Sequence, residues 1–236
     1  MPRILVILTA ADSIELADGT THPTGLWAEE LVVAHRTLSS AGAEITLATP
    51  GGAPAPVDPG SLSTEIVGDA AKVEEFRAYL EALASELAAP AAIAEVEAAG
   101  YDAVVLPGGH GPMVDLAHDP AVGAALVAAD AAGVLIAPFC HGPAALLSAT
   151  RADGGFAFAG RALTVFTDEE ERTGGLGAGT PWFVAATLAE RGARVEGGPA
   201  WSSHVVRDGN LITGQNPQSS DAVAAALLDA LAERAA

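Results

Sequence analysis

A chain of 236 residues, half of them hydrophobic and 17% charged, is long enough to bury a substantial core without covalent or metal staples. Its one cysteine excludes an intrachain disulfide and the cysteine-rich zinc patterns. A formal charge of −19, with ten arginines and only Lys72 against 30 acids, would repel a phosphate backbone, so no nucleic-acid partner is expected.

The first element in chain order is the β-branched run 3–9, predicted as a strand. It is far shorter than the roughly 20 residues of a membrane span. Asp12 closes it too early for a secretory signal. The expectation is a cytoplasmic protein with no membrane partner. A helix is predicted over 25–40 and a strand over 44–49. Residues 53–100 then depart from the alternation, with a proline-rich start followed by helical patterns at 69–88 and 90–99. That is too long for a loop and too helical for a linker, and predicts an inserted cap beside the sheet edge.

Strands at 102–106, 134–137 and 162–166 follow, interleaved with helices at 120–132 and 143–149. Residues 203–213 read as two strands around the Asp208-Gly209 turn. A last helix, 219–233, carries Val223, Leu227, Leu228 and Leu231 at helical spacing. Apolar strands separated by helices predict a parallel sheet covered on both faces, in one domain over 1–236. Turns at the carboxyl edge of such a sheet gather where ligand sites form.

The strongest local signal is the passage from strand to helix at Cys140-His141-Gly142-Pro143. A sharp turn there pushes the cysteine out, as at a nucleophile elbow. The amides of the helix start would face the sulfur and favour the thiolate. His141 is placed to relay a proton, and Pro143 occupies a first-turn position that needs no amide. Free cysteines are commonly inert and buried, but this context favours a reactive thiol.

Pro107-Gly108-Gly109-His110-Gly111 follows another strand, where glycines let the backbone approach a ligand and offer amides to an oxyanion. Alone the motif is ordinarily a turn; beside a cysteine elbow it gains weight. Glu29 and Glu30 lie in the first turns of a helix, and adjacent residues face different ways. At most one reaches a shared pocket, and periodicity alone favours two solvated acids. The acidic run 168–171 reads as surface, although one member could orient His141. His204, Gln215, Asn216 and Pro217 are further candidates for the pocket wall, with structural service the commoner fate.

Together, Glu30 after Thr24-Gly25-Leu26-Trp27, the glycine turn 107–111 and Cys140-His-Gly-Pro-Ala-Ala-Leu-Leu resemble the ThiJ/PfpI superfamily. The cap and the late segment Leu211-Ile-Thr-Gly-Gln-Asn-Pro217 narrow the likeness to its heat-shock chaperone and glyoxalase III branch. The resemblance covers nearly the whole chain. It implies an α/β flavodoxin-like three-layer sandwich, shared with class I glutamine amidotransferase domains. The sheet would be mostly parallel with helices on both faces and a small helical cap at about 53–100.

Residue by residue, the resemblance makes Cys140 the nucleophile, His141 its partner and Glu30 the glutamate facing the elbow, which overturns the periodicity reading. The Gly109 and His141 amides would form the oxyanion site, with Gly108 and His110 in the same substrate-binding turn. The third acid falls within 168–171, where Glu171 and Asp168 both fit. Pro138 departs from the family pattern and puts the elbow's strand pairing in question.

The implied activity is conversion of methylglyoxal or a related 2-oxoaldehyde to the 2-hydroxy acid through a cysteine hemithioacetal, with no cofactor and no metal. Glu30 would be protonated and donate to the sulfur. The partner would be a small aldehyde, the assembly to test a homodimer, and the setting a stress response. Rival readings are a cysteine amidase, peptidase or protein deglycase, which pocket size would discriminate, and a redox sensor or holdase. The sensor would oxidise Cys140 beside Glu30, and a holdase would expose a large apolar patch.

Overall fold

Alternate residues of the run at 3–9 point to opposite faces, and because nearly all are apolar both faces require cover. In the computed structural model, which describes residues 1–235, Ile4, Val6 and Leu8 enter one apolar cluster while Leu5 and Ile7 enter another. The strand is β1 (Arg3–Ile7). A short hairpin, β2 (Ser13–Glu15) and β3 (Thr21–Pro23), then leads to α1 (Ala28–Ser40) and β4 (Glu44–Thr49). Residues 53–100 hold α2 (Thr64–Val67), α3 (Ala70–Ala82) and α4 (Ala84–Ala88), and the chain returns to the sheet at β5 (Ala91–Ala92). There follow β6 (Ala103–Leu106), α5 (Pro120–Ala131), β7 (Leu135–Pro138), β8 (Ala162–Leu163), α6 (Asp168–Gly174), α7 (Val184–Glu190) and β9 (Arg194–Val195). The chain closes with β10 (Val205–Asp208), β11 (Leu211–Gly214) and α8 (Ser220–Ala235).

The main sheet runs β10-β11-β7-β6-β1-β4-β5, parallel except for the β10–β11 hairpin. One face packs on α1, α3 and α8 through Leu31, Val32, Phe76, Leu80, Val223 and Leu227. The other packs on α5 and α7 and the 3₁₀ turn Gly142–Ser148, through Val122, Leu126, Leu146, Val184 and Leu188. This is the three-layer, flavodoxin-like α/β arrangement expected from the sequence, and β1, β6 and β7 end together at one edge. No helix among the described residues is long and apolar enough to cross a membrane.

Four local expectations need correction. Residues 90–99 form no helix: Ala91 and Ala92 pair with Ala48 and Thr49, and two 3₁₀ turns follow. The open edge of β4 supplies a partner for the backbone, and that pairing outweighs the helical propensity of alanine. The helix predicted over 69–88 breaks at Leu83. The segment after the cysteine winds as a 3₁₀ turn rather than an α-helix. The strand predicted over 162–166 shrinks to β8, which pairs with β9 outside the main sheet. Pro138 stays in the ladder opposite Leu106. Ile136 and Cys140 donate toward the β11 side, so the proline deletes only the rung between them.

Candidate active site

Cys140 sits at the end of β7 with φ +54°, one of two non-glycine residues in the left-handed region among the described residues. That conformation is strained for a residue with a Cβ, and the neighbours hold it. The Cys140 amide donates to Gly214 O at 2.9 Å, and its carbonyl accepts from the Phe166 amide at 3.0 Å. Glycines provide the necessary closeness. A Cβ on Gly108 would lie 2.5 Å from the His141 nitrogen and 2.9 Å from Cys140 Cβ, and one on Gly142 would overlap the Leu106 carbonyl. The amides of Gly109 and His141 are directed at Sγ.

His141 is buried and its ring bridges two groups. Nδ1 lies 3.3 Å from Sγ, and Nε2 lies 2.7 Å from Glu171 Oε2. The Glu171 carboxylate also meets His110 Nε2 at 3.2 Å and accepts from the Leu176 amide and the Thr180 hydroxyl, at 2.7 and 2.8 Å. Burial works against its charge, but these donors, His110 and His141 foremost, hold it well below the usual carboxylate range. Burial, and then the neighbouring His110, lower His141 to about 4, so its imidazole is neutral at pH 7. One ring nitrogen each of His110 and His141 and a Glu171 oxygen lie within 4.8 Å of one another and form the donor set in the site that could hold a metal ion.

Glu30 is completely buried on the other side of the sulfur. Its Oε2 accepts the Gly108 amide at 2.6 Å, while Oε1 has no hydrogen-bond partner. Burial raises this carboxyl to about 8, against the pull of Gly108 and Cys140. Burial, followed by the adjacent Glu30, pushes the Cys140 thiol well above its ordinary value, although the Gly109 and His141 amides oppose the shift. Burial and the Glu30 carboxyl thus act against the thiolate, and the two directed amides act for it.

The structure brings Cys140, His141, Glu30, Gly108, Gly109, His110 and Glu171 together and separates Asp168 from them. Asp168 turns to Arg172 Nη2 at 3.4 Å. The Gly108 amide is also occupied by Glu30, which removes it from the set of free oxyanion donors and leaves Gly109 and His141. Glu29 binds Lys72 Nζ at 2.7 Å, so the sole lysine ties α3 to α1, and Glu29 also lines the pocket. Gln215 and Asn216 serve structure through Glu170, His204 stays out of the pocket, and Pro217 reaches the wall.

The pocket above the sulfur encloses about 190 Å³. Trp27, Phe166 and Trp201 wall it, and Ile66 and Val67 of α2 also line it. Nothing in the residue pattern signals the aromatic wall, because Phe166 and Trp201 lie on separate segments with no shared spacing. A signal for the third acid did exist. Thr167-x-x-Glu170 is a capping box, with Glu170 N donating to Thr167 Oγ1 and Thr167 N donating to Glu170 Oε2. Reading it fixes the helix start, commits Glu170 to the cap and leaves Glu171 as the inward acid.

The sequence matches the DJ-1/PfpI family over residues 23–230. Protein/nucleic acid deglycase HchA of Pseudomonas aeruginosa (strain UCBPP-PA14) is 29% identical over 232 residues, covering 93% of this chain and 77% of the relative. One crystallographic structure is 38% identical and superposes with a TM-score of 0.84 over 99% of both chains. Glyoxalase III from Candida albicans, 22% identical, superposes with a TM-score of 0.82 over 97% of both chains, a likeness of fold.

Proposed function

From the premise that the chain belongs to the DJ-1/PfpI family, we propose that it converts small 2-oxoaldehydes such as methylglyoxal to 2-hydroxy acids, using Cys140 as nucleophile and no glutathione. The observation that carries this reading is the convergence on one sulfur of a buried carboxyl, a neutral imidazole and two backbone amides. The pocket has room for roughly six waters at ~30 Å³ each. Methylglyoxal fits that space.

In the proposed sequence His141 Nδ1 takes the thiol proton as sulfur attacks the aldehyde carbon, and its Nε2–H remains on Glu171. The oxygen of the hemithioacetal gains charge beside the Gly109 and His141 amides and is protonated by Glu30. The Glu30 carboxylate then removes the hydrogen from that carbon while His141 gives the proton it took from the thiol to the ketone oxygen, forming an enediol. Glu30 delivers its proton to the neighbouring carbon and takes the hydroxyl proton of the first, which leaves a thioester with both side chains restored. Water cleaves the thioester, releasing the 2-hydroxy acid and restoring the thiol. The balance is aldehyde plus one water to acid, with no oxidant.

The name of the Pseudomonas relative favours a second reading, removal of glyoxal-derived adducts from proteins or nucleic acids. The same thiol would attack the adduct carbon and expel the amine. Charge repulsion from a −19 surface makes nucleic-acid adducts the poorer substrates. The test is lactate formation from methylglyoxal without glutathione, with wild type set against Cys140→Ala and Glu30→Gln. Cysteine-dependent lactate supports the first reading. Release of amine from a glycated peptide with no lactate from free aldehyde would replace it with the second.

A further inference from the structure

The two non-glycine residues with left-handed backbone among the described residues, Cys140 at φ +54° and Trp201 at φ +59°, line the same pocket. Trp201 occupies a turn closed by the Ser202 amide and hydroxyl on the Pro199 carbonyl. Such a position suits glycine, yet the chain places its bulkiest side chain there. A buried carboxylate holds the strain: Glu170 Oε1 accepts the Trp201 amide at 2.8 Å and the Asn216 amide group at 2.8 Å. Side-chain packing then fixes the indole. It stands edge-on to Phe166 with centroids 5.5 Å apart, and a Cβ on Gly174 would lie 2.6 Å from its Cζ2. Phe166 in turn lies 4.5 Å from the His141 ring. The result is a continuous aromatic wall from the imidazole to the mouth, where Trp201 remains 42% exposed.

An indole strained, pinned and left uncovered beside a nucleophile is built to contact something that enters. We propose that Trp201 and Phe166 form a subsite for the substituent on the ketone carbon, so that aryl and other bulky apolar 2-oxoaldehydes are preferred over methylglyoxal. As a statement about substrate the inference rests on the proposed aldehyde chemistry; as a statement about the wall it can be tested apart from turnover.

Cys140 is the sole cysteine, so alkylation by α-bromoketones reports on the pocket directly. The sulfur–carbon bond forms as bromide leaves, and the thiol proton passes to His141 or solvent. Rates with phenacyl bromide and bromoacetone, each divided by its rate with free cysteine, give the intrinsic preference of the site. Wild type should prefer the phenyl reagent by about tenfold, a typical scale for an aromatic contact. Trp201→Gly, which removes the indole and suits the turn, should lose that preference, and Trp201→Phe should keep most of it. Gly174→Ala, which displaces the indole, is the second variant and should follow Trp201→Gly. The ratio of kcat/KM for phenylglyoxal over methylglyoxal should track the alkylation ratio. A wild-type ratio equal to that of free cysteine, or one unchanged in Trp201→Gly, overturns the subsite even if lactate is formed. An aryl preference that depends on Trp201, in a protein that turns over neither aldehyde, supports the wall and removes the proposed activity instead.

Discussion

Glu30 and Glu171 are both buried within the same site, yet their surroundings drive them in opposite directions. Glu171 collects two imidazoles, an amide and a hydroxyl, and stays ionised. Glu30 collects one amide and keeps its proton up to about 8. Paired acids whose environments separate their protonation states commonly divide acid and base roles between them. In the proposed mechanism activity needs neutral His141 and protonated Glu30, so kcat/KM should rise through about 4 and fall through about 8. Glu30→Gln keeps the shape and removes the titration. It should lower kcat/KM by about 10²–10⁴ and abolish the alkaline limb, measured as a full pH–rate profile. An alkaline limb still centred near 8 in the variant would assign that limb to another group.

At the scale of elements, the site depends on how closely the turn after β7 approaches β6. A methyl group on Gly108 would collide with the turn at Phe139, Cys140 and His141, and one on Gly142 with the backbone of Leu106 and Pro107. Gly142→Ala should force the elbow away from Leu106, costing about 1–3 kcal/mol as overpacking does, and should slow Cys140 alkylation. Gly154 has φ +83° but open space around it, so Gly154→Ala should cost about 1 kcal/mol in backbone strain and leave alkylation unchanged. Denaturant unfolding and alkylation rates of both variants separate the two effects.

The same elements show what the sequence could reveal. Buried strands such as β1 and β6 were legible because unbroken apolar runs have few other fates. The elbow was legible because strand, cysteine and proline are contiguous. Residues 90–99 misled because an alanine-rich segment has a helical preference weaker than one sheet-edge pairing. The cooperation of Glu30, Glu171 and Trp201 was hidden because it joins α1, α6 and a turn that are far apart in the chain. Resemblance placed Glu30, and only the phase of α6 separates Glu171 from Asp168.

For the molecule as a whole, burying titratable groups beside the nucleophile makes stability depend on pH. Glu30 has a raised folded-state value, from an ordinary 4.5 to about 8, so the stability it contributes is complete below 4.5 and is lost as pH rises toward 8. His141 has a depressed value, from 6.5 to about 4, so its contribution is complete above 6.5 and is lost as pH falls through 4. Glu171 acts in the same sense as His141 at lower pH. Cys140 titrates above its ordinary 9 and contributes nothing to the slope below that. Between pH 6.5 and 8, Glu30 is therefore the one site group whose proton uptake differs between folded and unfolded chains. The unfolding free energy of the wild type should fall on the order of 2 kcal/mol across that window, from ~1.4 kcal/mol per pH unit. In Glu30→Gln the fall should disappear, so the two proteins differ in slope rather than in a constant offset. Urea titrations at the two ends of the window measure this, and parallel slopes would show that the Glu30 carboxyl is already ionised in the folded chain at neutral pH. That result would also withdraw Glu30 as proton donor to the hemithioacetal and leave His141 as the only acid within reach of the sulfur.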